Sequence, residues 1–279
     1  MAVEFDHSVF GRGHRRDGRR TVLWQEMWRH ELHDALGRRA VVIVPCGSVE
    51  QHGPHLPLDV DIVDALALAA AAADAVDEFP VIVAPPIWSG LAHYKMGHIG
   101  TITLRFDTYV AVVSDVCRSI HANGFERIVL LNGHGGNRSI NQAIAVKLAE
   151  EDVFILPITY WDMAPEILRD ESERDHGSIG HAGEWETSLQ LFLRPDLVDG
   201  SRIAGDEERQ DLSPEVRAYT GFAERRRERA GGVHGDPTVA TAEKGGRLFT
   251  AVRDRLVVAV REYRDLPVPR YREFGSHCP

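Results

Sequence analysis

Residues 40–76, AVVIVPCGSVEQHGPHLPLDVDIVDALALAAAAADAV, indicate the fold class of this chain. The short β-branched run at 40–44 predicts a buried strand, and the Ala- and Leu-rich run at 61–76, with acids at its start, predicts a helix. The alternation continues with apolar runs at 81–84, 128–131 and 153–158 and helical patterns at 21–36, 108–122, 139–150, 184–193 and 247–263. Strands and helices that alternate at these lengths predict an α/β fold with a mostly parallel sheet covered by helices on both faces.

The chain has no internal repeat or low-complexity linker, which favours one domain for its 279 residues. We expect the basic, glycine-broken residues 1–20 to form a flexible N-terminal arm and residues 21–279 to form the folded domain. Within that domain, the highly charged residues 205–232 are expected to form a surface excursion. In a parallel sheet, ligands bind outside the carboxyl ends of the strands, so the loops after the strands are the places to search for a site.

Composition argues against several classes of protein. The chain has 32 Lys and Arg against 42 Asp and Glu, a net charge of −10, and a negative field repels phosphate. We therefore expect neither nucleic acid nor a membrane surface as a partner. No apolar run approaches the roughly 18–20 residues that span a bilayer. The 3 cysteines are too few and too widely spaced for a disulfide scaffold, which favours a reducing, cytoplasmic location.

The first candidate site follows the strand at 40–44, in the stretch GSVEQHGPHLPLDVD at 47–61. Glu50 and His52 are two residues apart and point the same way in extended backbone. Gly53 and two prolines form a turn that can return Asp61 to them. A carboxylate, an imidazole and a second carboxylate at the end of a strand are typical metal ligands. Taken alone, a helix N-cap at Asp61 and an ordinary loop histidine explain the same residues equally well.

Two further histidines lie in loops beside predicted strands or helices. His134 is the histidine of NGHGGN, 132–137, where flanking glycines allow close approach to a ligand. Such glycines also cradle phosphate, but no lysine at P-loop spacing accompanies them. His181 opens HAGEWETS, 181–188, which enters a helix. Glu184 and Glu186 in that first turn are also ordinary partners of a helix dipole.

Taken together, these three loops predict a centre with two metal ions. Two divalent ions bring four positive charges, while the carboxylates of Glu50, Asp61 and Glu186 with one hydroxide bring four negative charges. The cluster can then be buried without a large desolvation penalty. His52 and His134 add one neutral ligand for each ion.

The motifs resemble those of the creatininase (creatinine amidohydrolase) family. G-S-x-E-Q-H-G-P-H-L-P-L-x-x-D, N-G-H-G-G-N and H-A-G-x-x-E-T-S occur in order, and residues 235–245 form a fourth similar stretch. The resemblance spans residues 21–264. It implies a single-domain, three-layer α/β/α sandwich that is catalytic, a site for two divalent ions (zinc, manganese or iron) and a homohexamer. It also implies that Glu50, His52, Asp61 and His134 are metal ligands, with Asp61 bridging the ions, and that His181 transfers a proton.

Two departures from the family pattern affect the site. Creatininase has an acidic residue two positions after the loop histidine, where this chain has Gly136. We expect Glu186, the acid of the E-T-S motif, rather than Glu184 to supply the missing carboxylate as a ligand and catalytic residue. In the stretch 90–101 the usual Ser-Glu-His is replaced by residues 92–94, Ala-His-Tyr, so the wall of the substrate pocket differs. The candidate substrate contacts are His93, Lys95, His98 and Trp161, the last of which is at least as readily a core aromatic.

The resemblance implies a metal-dependent hydrolase that cleaves a C–N bond, in the first place that of a small cyclic amide, with a hydroxide activated by two ions. One alternative is a peptidase, as in relatives that trim the precursor of a ribosomally made redox cofactor. Another is C–C hydrolysis that opens a cyclic ketone, which the cationic Lys95 suits. A metal-binding module without turnover is the remaining alternative, and it predicts no open coordination position.

Overall fold

The computed structural model describes residues 21–173, 179–205 and 231–268. Its strands are β1 Val41–Cys46, β2 Val81–Val83, β3 Ile128–Asn132 and β4 Ile155–Thr159. Its helices are α1 Arg29–Gly37, α2 Val60–Asp74, α3 Phe106–Ala122, α4 Arg138–Ala149, α5 Pro165–Asp170, α6 Glu184–Leu193 and α7 Ala242–Asp265. Strands and helices alternate through β4, as the sequence predicts.

The strands form one parallel sheet in the order β2-β1-β3-β4. Cys46 of β1 is opposite Asn132 of β3, and Asn132 is opposite Thr159 of β4. Three neighbouring strands therefore end at the same edge of the sheet. The loops that leave this carboxyl edge include the first two candidate stretches, 47–61 and 132–137.

Both faces of the sheet are apolar and covered. Val41 and Ile43 share one buried cluster with residues of α2, α6 and α7, whereas Val42 and Val44 share the other with residues of α1, α3 and α4. Successive strand residues point to opposite faces, so a run that is apolar at every position serves both clusters. The sheet thus lies between two helical layers, which confirms the predicted single-domain α/β fold.

The segment before α1 differs from the single helix predicted over 21–36. Leu23 forms a parallel bridge with Val83, and the Val83 backbone N–H donates to the Val22 carbonyl at 2.8 Å. These residues extend the sheet beyond β2. A short 3-10 turn covers 24–26, and α1 begins only at Arg29. Leu23 is therefore buried as part of an extended segment at the edge of the sheet, and not as part of a helix of its own segment.

Two glycines let the loops at the carboxyl edge pack directly on the first turn of α2. A Cβ on Gly133 would lie 2.1 Å from the Asp61 carbonyl oxygen, and one on Gly47 would lie 2.7 Å from the Ile62 backbone nitrogen. A side chain at either position has no room. The absence of a Cβ therefore brings the ends of β1 and β3 against Asp61.

The predicted arm at 1–20 lies outside the described residues, as does the part 206–230 of the predicted excursion at 205–232. Within the described ranges, no helix has both the length and the apolar character needed to span a membrane.

Candidate metal centre

Five side chains from separate loops and helices meet at the carboxyl edge of the sheet. Glu50 and His52 lie in the loop between β1 and α2, Asp61 in the first turn of α2, His134 just after β3, and Glu186 in the first turn of α6. All five are buried. The Glu50 backbone N–H donates to the carbonyl of residue 58 at 2.9 Å, which closes the loop before α2.

Asp61 stands between two histidines. Its Oδ1 is 3.1 Å from His52 Nε2, and its Oδ2 is 2.8 Å from His134 Nδ1. His52 Nε2 is also 3.6 Å from Glu186 Oε2, and His134 Nδ1 is 3.4 Å from Glu50 Oε2. Two triads result, Glu50–Asp61–His134 and His52–Asp61–Glu186, and in each the candidate ligand atoms lie within 4.8 Å of one another. Asp61 belongs to both.

The remaining nitrogens of the two imidazoles face backbone carbonyls. His52 Nδ1 is 3.1 Å from the Glu50 carbonyl oxygen, and His134 Nε2 is 3.2 Å from that of Leu91. Because a carbonyl oxygen only accepts, these nitrogens carry the protons. His52 Nε2 and His134 Nδ1 can then present lone pairs toward the carboxylates. Metal-binding histidines are oriented in this way, with the second nitrogen donating to a carbonyl or carboxylate.

The cluster holds more negative charge than its donors satisfy. Glu50 Oε2 and Asp61 Oδ2 are buried and accept no hydrogen bond from the described part of the chain. Burial raises the pKa of Glu50 and raises that of Glu186 to about 7. Burial by itself disfavours a charged His52, yet Asp61 and Glu186 raise its pKa to about 10. Although burial acts to raise the pKa of Asp61, His52 and His134 lower it to about 2. Carboxylates buried together favour positive charge beside them, which divalent ions can supply.

His181 lies beside the cluster, in the loop that enters α6. Its backbone pairs with His234 through two hydrogen bonds of 2.8 Å. Its Nε2 is 2.8 Å from the Gln51 carbonyl oxygen, and its Nδ1 is 3.5 Å from Glu50 Oε1. Burial holds the pKa of His181 well below its usual value, so the ring is neutral at pH 7. Glu50, His52 and His181 also form a third group whose ligand atoms lie within 4.8 Å.

The two acids at the start of α6 have different partners. Glu186 Oε2 accepts the Ala182 N–H at 2.5 Å and faces His52. Glu184 is fully buried and contacts Lys244 Nζ at 2.7 Å. Of the two, Glu186 belongs to a triad and Glu184 does not, within the residues that the structure describes. This arrangement favours Glu186 over Glu184 as a ligand.

The candidate substrate contacts occupy different environments. Lys95 is only 4% exposed, and its positive charge opposes the burial that raises the pKa of Glu50 and adds to the burial that lowers that of His181. His93 is exposed and lines an apolar cleft of about 520 Å³ next to Leu91.

His98 and Trp161 differ in burial. His98 is half-buried, whereas Trp161 is buried in the core cluster of α2, α6 and α7. The Trp161 ring meets Tyr160 edge-on at a centroid distance of 5.0 Å. Its contacts are those of a core aromatic.

Sequence reasoning did not assign a role to Tyr94, Gln51 or His234. The Tyr94 hydroxyl is 3.4 Å from His134 Nε2, and its ring stacks on that imidazole at 6.2 Å and 9°. The Gln51 amide donates to the carbonyl of residue 232, and His234 pairs with His181. Tyr94 replaces a residue of the family pattern and Gln51 lies within the first motif, so their places in the sequence could have identified both as candidate site residues. His234 lies next to the fourth motif, and only its pairing reveals its place in the site.

This chain is similar in sequence to a protein family and to several known proteins, and in structure to solved proteins. Residues 25–260 match the creatininase family, described as creatinine amidohydrolase. The mycofactocin precursor peptide peptidase of Mycolicibacterium smegmatis is 34% identical over 225 residues, which are 75% of this chain and 79% of that protein. The creatinine amidohydrolase of Pseudomonas putida is 30% identical over 258 residues, 86% of this chain and 95% of that protein.

Among solved structures, a mutant creatininase of the Zn-Zn type superimposes with a TM-score of 0.73 and 26% identity, covering 89% of this chain and 100% of that one. The match to the family covers most of the chain, and the curated relatives are aligned over most of their own length. The chain therefore belongs to the creatininase family and is a metal-dependent hydrolase.

Proposed function

We propose that this chain hydrolyses a C–N amide bond with the help of two divalent metal ions. The observation that carries the proposal is the position of Asp61, which offers one carboxylate oxygen to each of two imidazoles whose second nitrogens face backbone carbonyls. Glu50 and His134 would hold one ion with Asp61, while His52 and Glu186 would hold the other. Oxygen and nitrogen ligands in this mixture accept zinc, manganese or iron.

Such ions, when bound, lower the pKa of water toward neutrality and polarise a substrate carbonyl. The chain's own contribution begins with charge. The carboxylates of Glu50, Asp61 and Glu186 offset most of the four positive charges, so that the pair of ions can be buried. As a ligand of one ion, Glu186 would also lie beside the reacting atoms, and we assign it both roles.

His181 is the residue that we assign to proton transfer. Its neutral ring, 3.5 Å from Glu50, can take a proton from water and deliver it to the leaving nitrogen. Because burial holds the pKa of this ring low, a proton that it accepts is readily released to the leaving group. The backbone pairing with His234 and the contact with the Gln51 carbonyl hold the ring in place.

A small cyclic amide is our first choice of substrate, and a peptide bond is the second. Both are amides, and the resemblance to a creatinine amidohydrolase supports the first. The 34% identity to a protein named as a peptidase supports the second. Lys95 is the strongest candidate for a substrate contact, because it is a buried cation whose charge acts on both Glu50 and His181. His93, His98 and Trp161 are proposed as further substrate contacts, with less support from their positions.

A homo-oligomer, and by family resemblance a hexamer, is also part of the proposal. Large apolar side chains are exposed between positions 88 and 106, and Ile99 is 98% exposed. Large exposed apolar surface is typical of a region that another subunit covers. Light scattering of the purified protein tests this assembly, and a monomer at micromolar concentration would contradict it.

The proposed reaction is tested by elemental analysis of the purified protein together with a substrate screen. The screen contains cyclic amides, short peptides and cyclic ketones, each assayed with protein loaded with Zn²⁺, Mn²⁺ or Fe²⁺. We expect two ions per chain and turnover of an amide. Cleavage of cyclic ketones and of no amide would show that the bond cleaved is a C–C bond and not the proposed C–N bond. Failure of all three metals to bind would refute the proposal.

A further inference from the structure

The fourth sequence motif packs on the helix that carries Glu186. A Cβ on Gly245, in the first turn of α7, would lie 2.0 Å from the Ser188 carbonyl oxygen of α6. The Thr241 N–H donates to Ser188 Oγ at 3.1 Å. The amino end of α7 is therefore in direct contact with α6 at Ser188, although no residue of this motif belongs to a metal triad in the described part of the chain.

Lys244 in this motif is a buried cation with three acceptors. Its Nζ is 2.7 Å from Glu184 Oε1, 2.7 Å from Glu173 Oε1 and 2.9 Å from the Val239 carbonyl oxygen. An ammonium group has three N–H donors, so each donor has an acceptor. Lys244 thereby connects the start of α6 with the segment that follows α5 and with the turn before α7.

Glu184 is the point at which Lys244 acts on the metal centre. It is the first residue of α6 and fully buried, and its carboxylate also accepts the Glu173 N–H at 3.0 Å. Glu184 and Glu186 belong to the same helical turn, so the anchoring of one sets the direction of the other. With Glu184 bound to Lys244, only Glu186 of this turn remains to face His52.

We propose that Lys244 is a positioning residue for the metal centre. By binding Glu184 it fixes the first turn of α6 so that Glu186, and not Glu184, meets His52 and Asp61. This inference rests on the proposed two-metal function. It implies that the ion held by His52, Asp61 and Glu186 depends on Lys244, whereas the ion held by the triad with Glu50 and His134 does not.

The experiment measures zinc binding by full-length protein in competition with a chromogenic chelator. Wild type is expected to show two sites. In Lys244→Met one of them weakens by about 10- to 100-fold, the range for the loss of a group that orients a ligand, while the other keeps its affinity. Lys244→Arg, which retains the charge, is expected to recover most of the lost affinity. Glu173→Gln is the matched control, because its side chain is 62% exposed, and both sites should keep their affinity.

Because Lys244→Met leaves Glu184 buried without its cation, a second variant keeps the test valid. Lys244→Met combined with Glu184→Gln removes both charges, and we expect it to fold, as shown by its circular dichroism, and to show the same weakened zinc site. Two zinc sites of wild-type affinity in either folded variant would overturn the inference. Wild-type protein that binds no divalent ion would instead refute the proposed function, whatever the variants do.

Discussion

His181→Ala separates a proton-transfer residue from a metal ligand. We expect kcat to fall by about 10²- to 10⁴-fold, the usual contribution of a general acid–base group, which corresponds to about 2.7–5.4 kcal/mol in activation free energy. Metal content should stay at two ions per chain. The geometry supports this division, since His181 Nδ1 is 3.5 Å from Glu50, whereas His52 and His134 approach Asp61 to 3.1 and 2.8 Å.

The variant should remain folded. Its two backbone hydrogen bonds to His234 do not involve the side chain, and the contact with the Gln51 carbonyl is worth about 1 kcal/mol of unfolding free energy. The assay is kcat on the substrate found by the screen, with elemental analysis and thermal unfolding of the same samples. His33→Ala, a change at an exposed histidine of α1, is the matched control and should leave all three quantities unchanged.

Two results would refute this reasoning about His181. Unchanged kcat would show that the imidazole transfers no proton in the slow step. Loss of one bound ion from folded protein would show that the third group, Glu50, His52 and His181, holds a metal and that His181 is a ligand.

Three further predictions concern the metal ions, the loop glycines and the buried thiols. Removal of metal by a chelator should abolish turnover and lower the melting temperature. An ion at 100 times its Kd stabilises the folded state by about 2.7 kcal/mol, and that stabilisation is lost with the metal. Full turnover by metal-free protein would contradict this prediction. Gly133→Ala should reduce the free energy of unfolding, measured in urea, by about 1–3 kcal/mol, because the added Cβ would overlap the Asp61 carbonyl. Gly37→Ala is the control, and it should not lower that free energy because the space around Gly37 is open. Equal stability of the two variants would contradict this packing. Burial raises the pKa of Cys46 and Cys117 to about 12. In a Cys278→Ser background, neither thiol should therefore react with iodoacetamide at pH 8 until the protein unfolds. A label found on either thiol of the folded protein by mass spectrometry would contradict this prediction.

Much of the fold follows from local pattern. The run at 40–44 is apolar at every position, and that pattern predicts a strand covered on both faces, as β1 is. The helix predicted over 184–193 has the bounds of α6. Two stretches differ: α5, Pro165–Asp170, was not predicted, and over 21–36 the apolar spacing indicates one helix. Leu23 pairs instead with β2, and a contact with a strand about 60 positions away has no signature in local spacing.

For the candidate site too, some features follow from the sequence and others depend on tertiary packing. Spacing brings Glu50 and His52 together, since two residues apart on extended backbone point the same way. It cannot choose between Glu184 and Glu186, because both are acids in one helical turn. In the structure, Glu186 faces His52, whereas Glu184 binds Lys244, which is 60 positions away in sequence. Likewise, the ring of Tyr94 reaches His134 only through the packing of the loop after β2.

The order of residues alone determined most of the helices and strands, which groups can bind a cation, and the family to which the chain belongs, because these depend on periodicity and on residue type at short spacing. Tertiary structure alone decided which carboxylate oxygen faces which imidazole nitrogen, and its packing turns Glu186, the acid that the motif already favoured, toward His52. Those outcomes depend on distances of 2.7–3.6 Å between side chains far apart in sequence. Such distances are set by how loops and helices pack at the edge of the sheet.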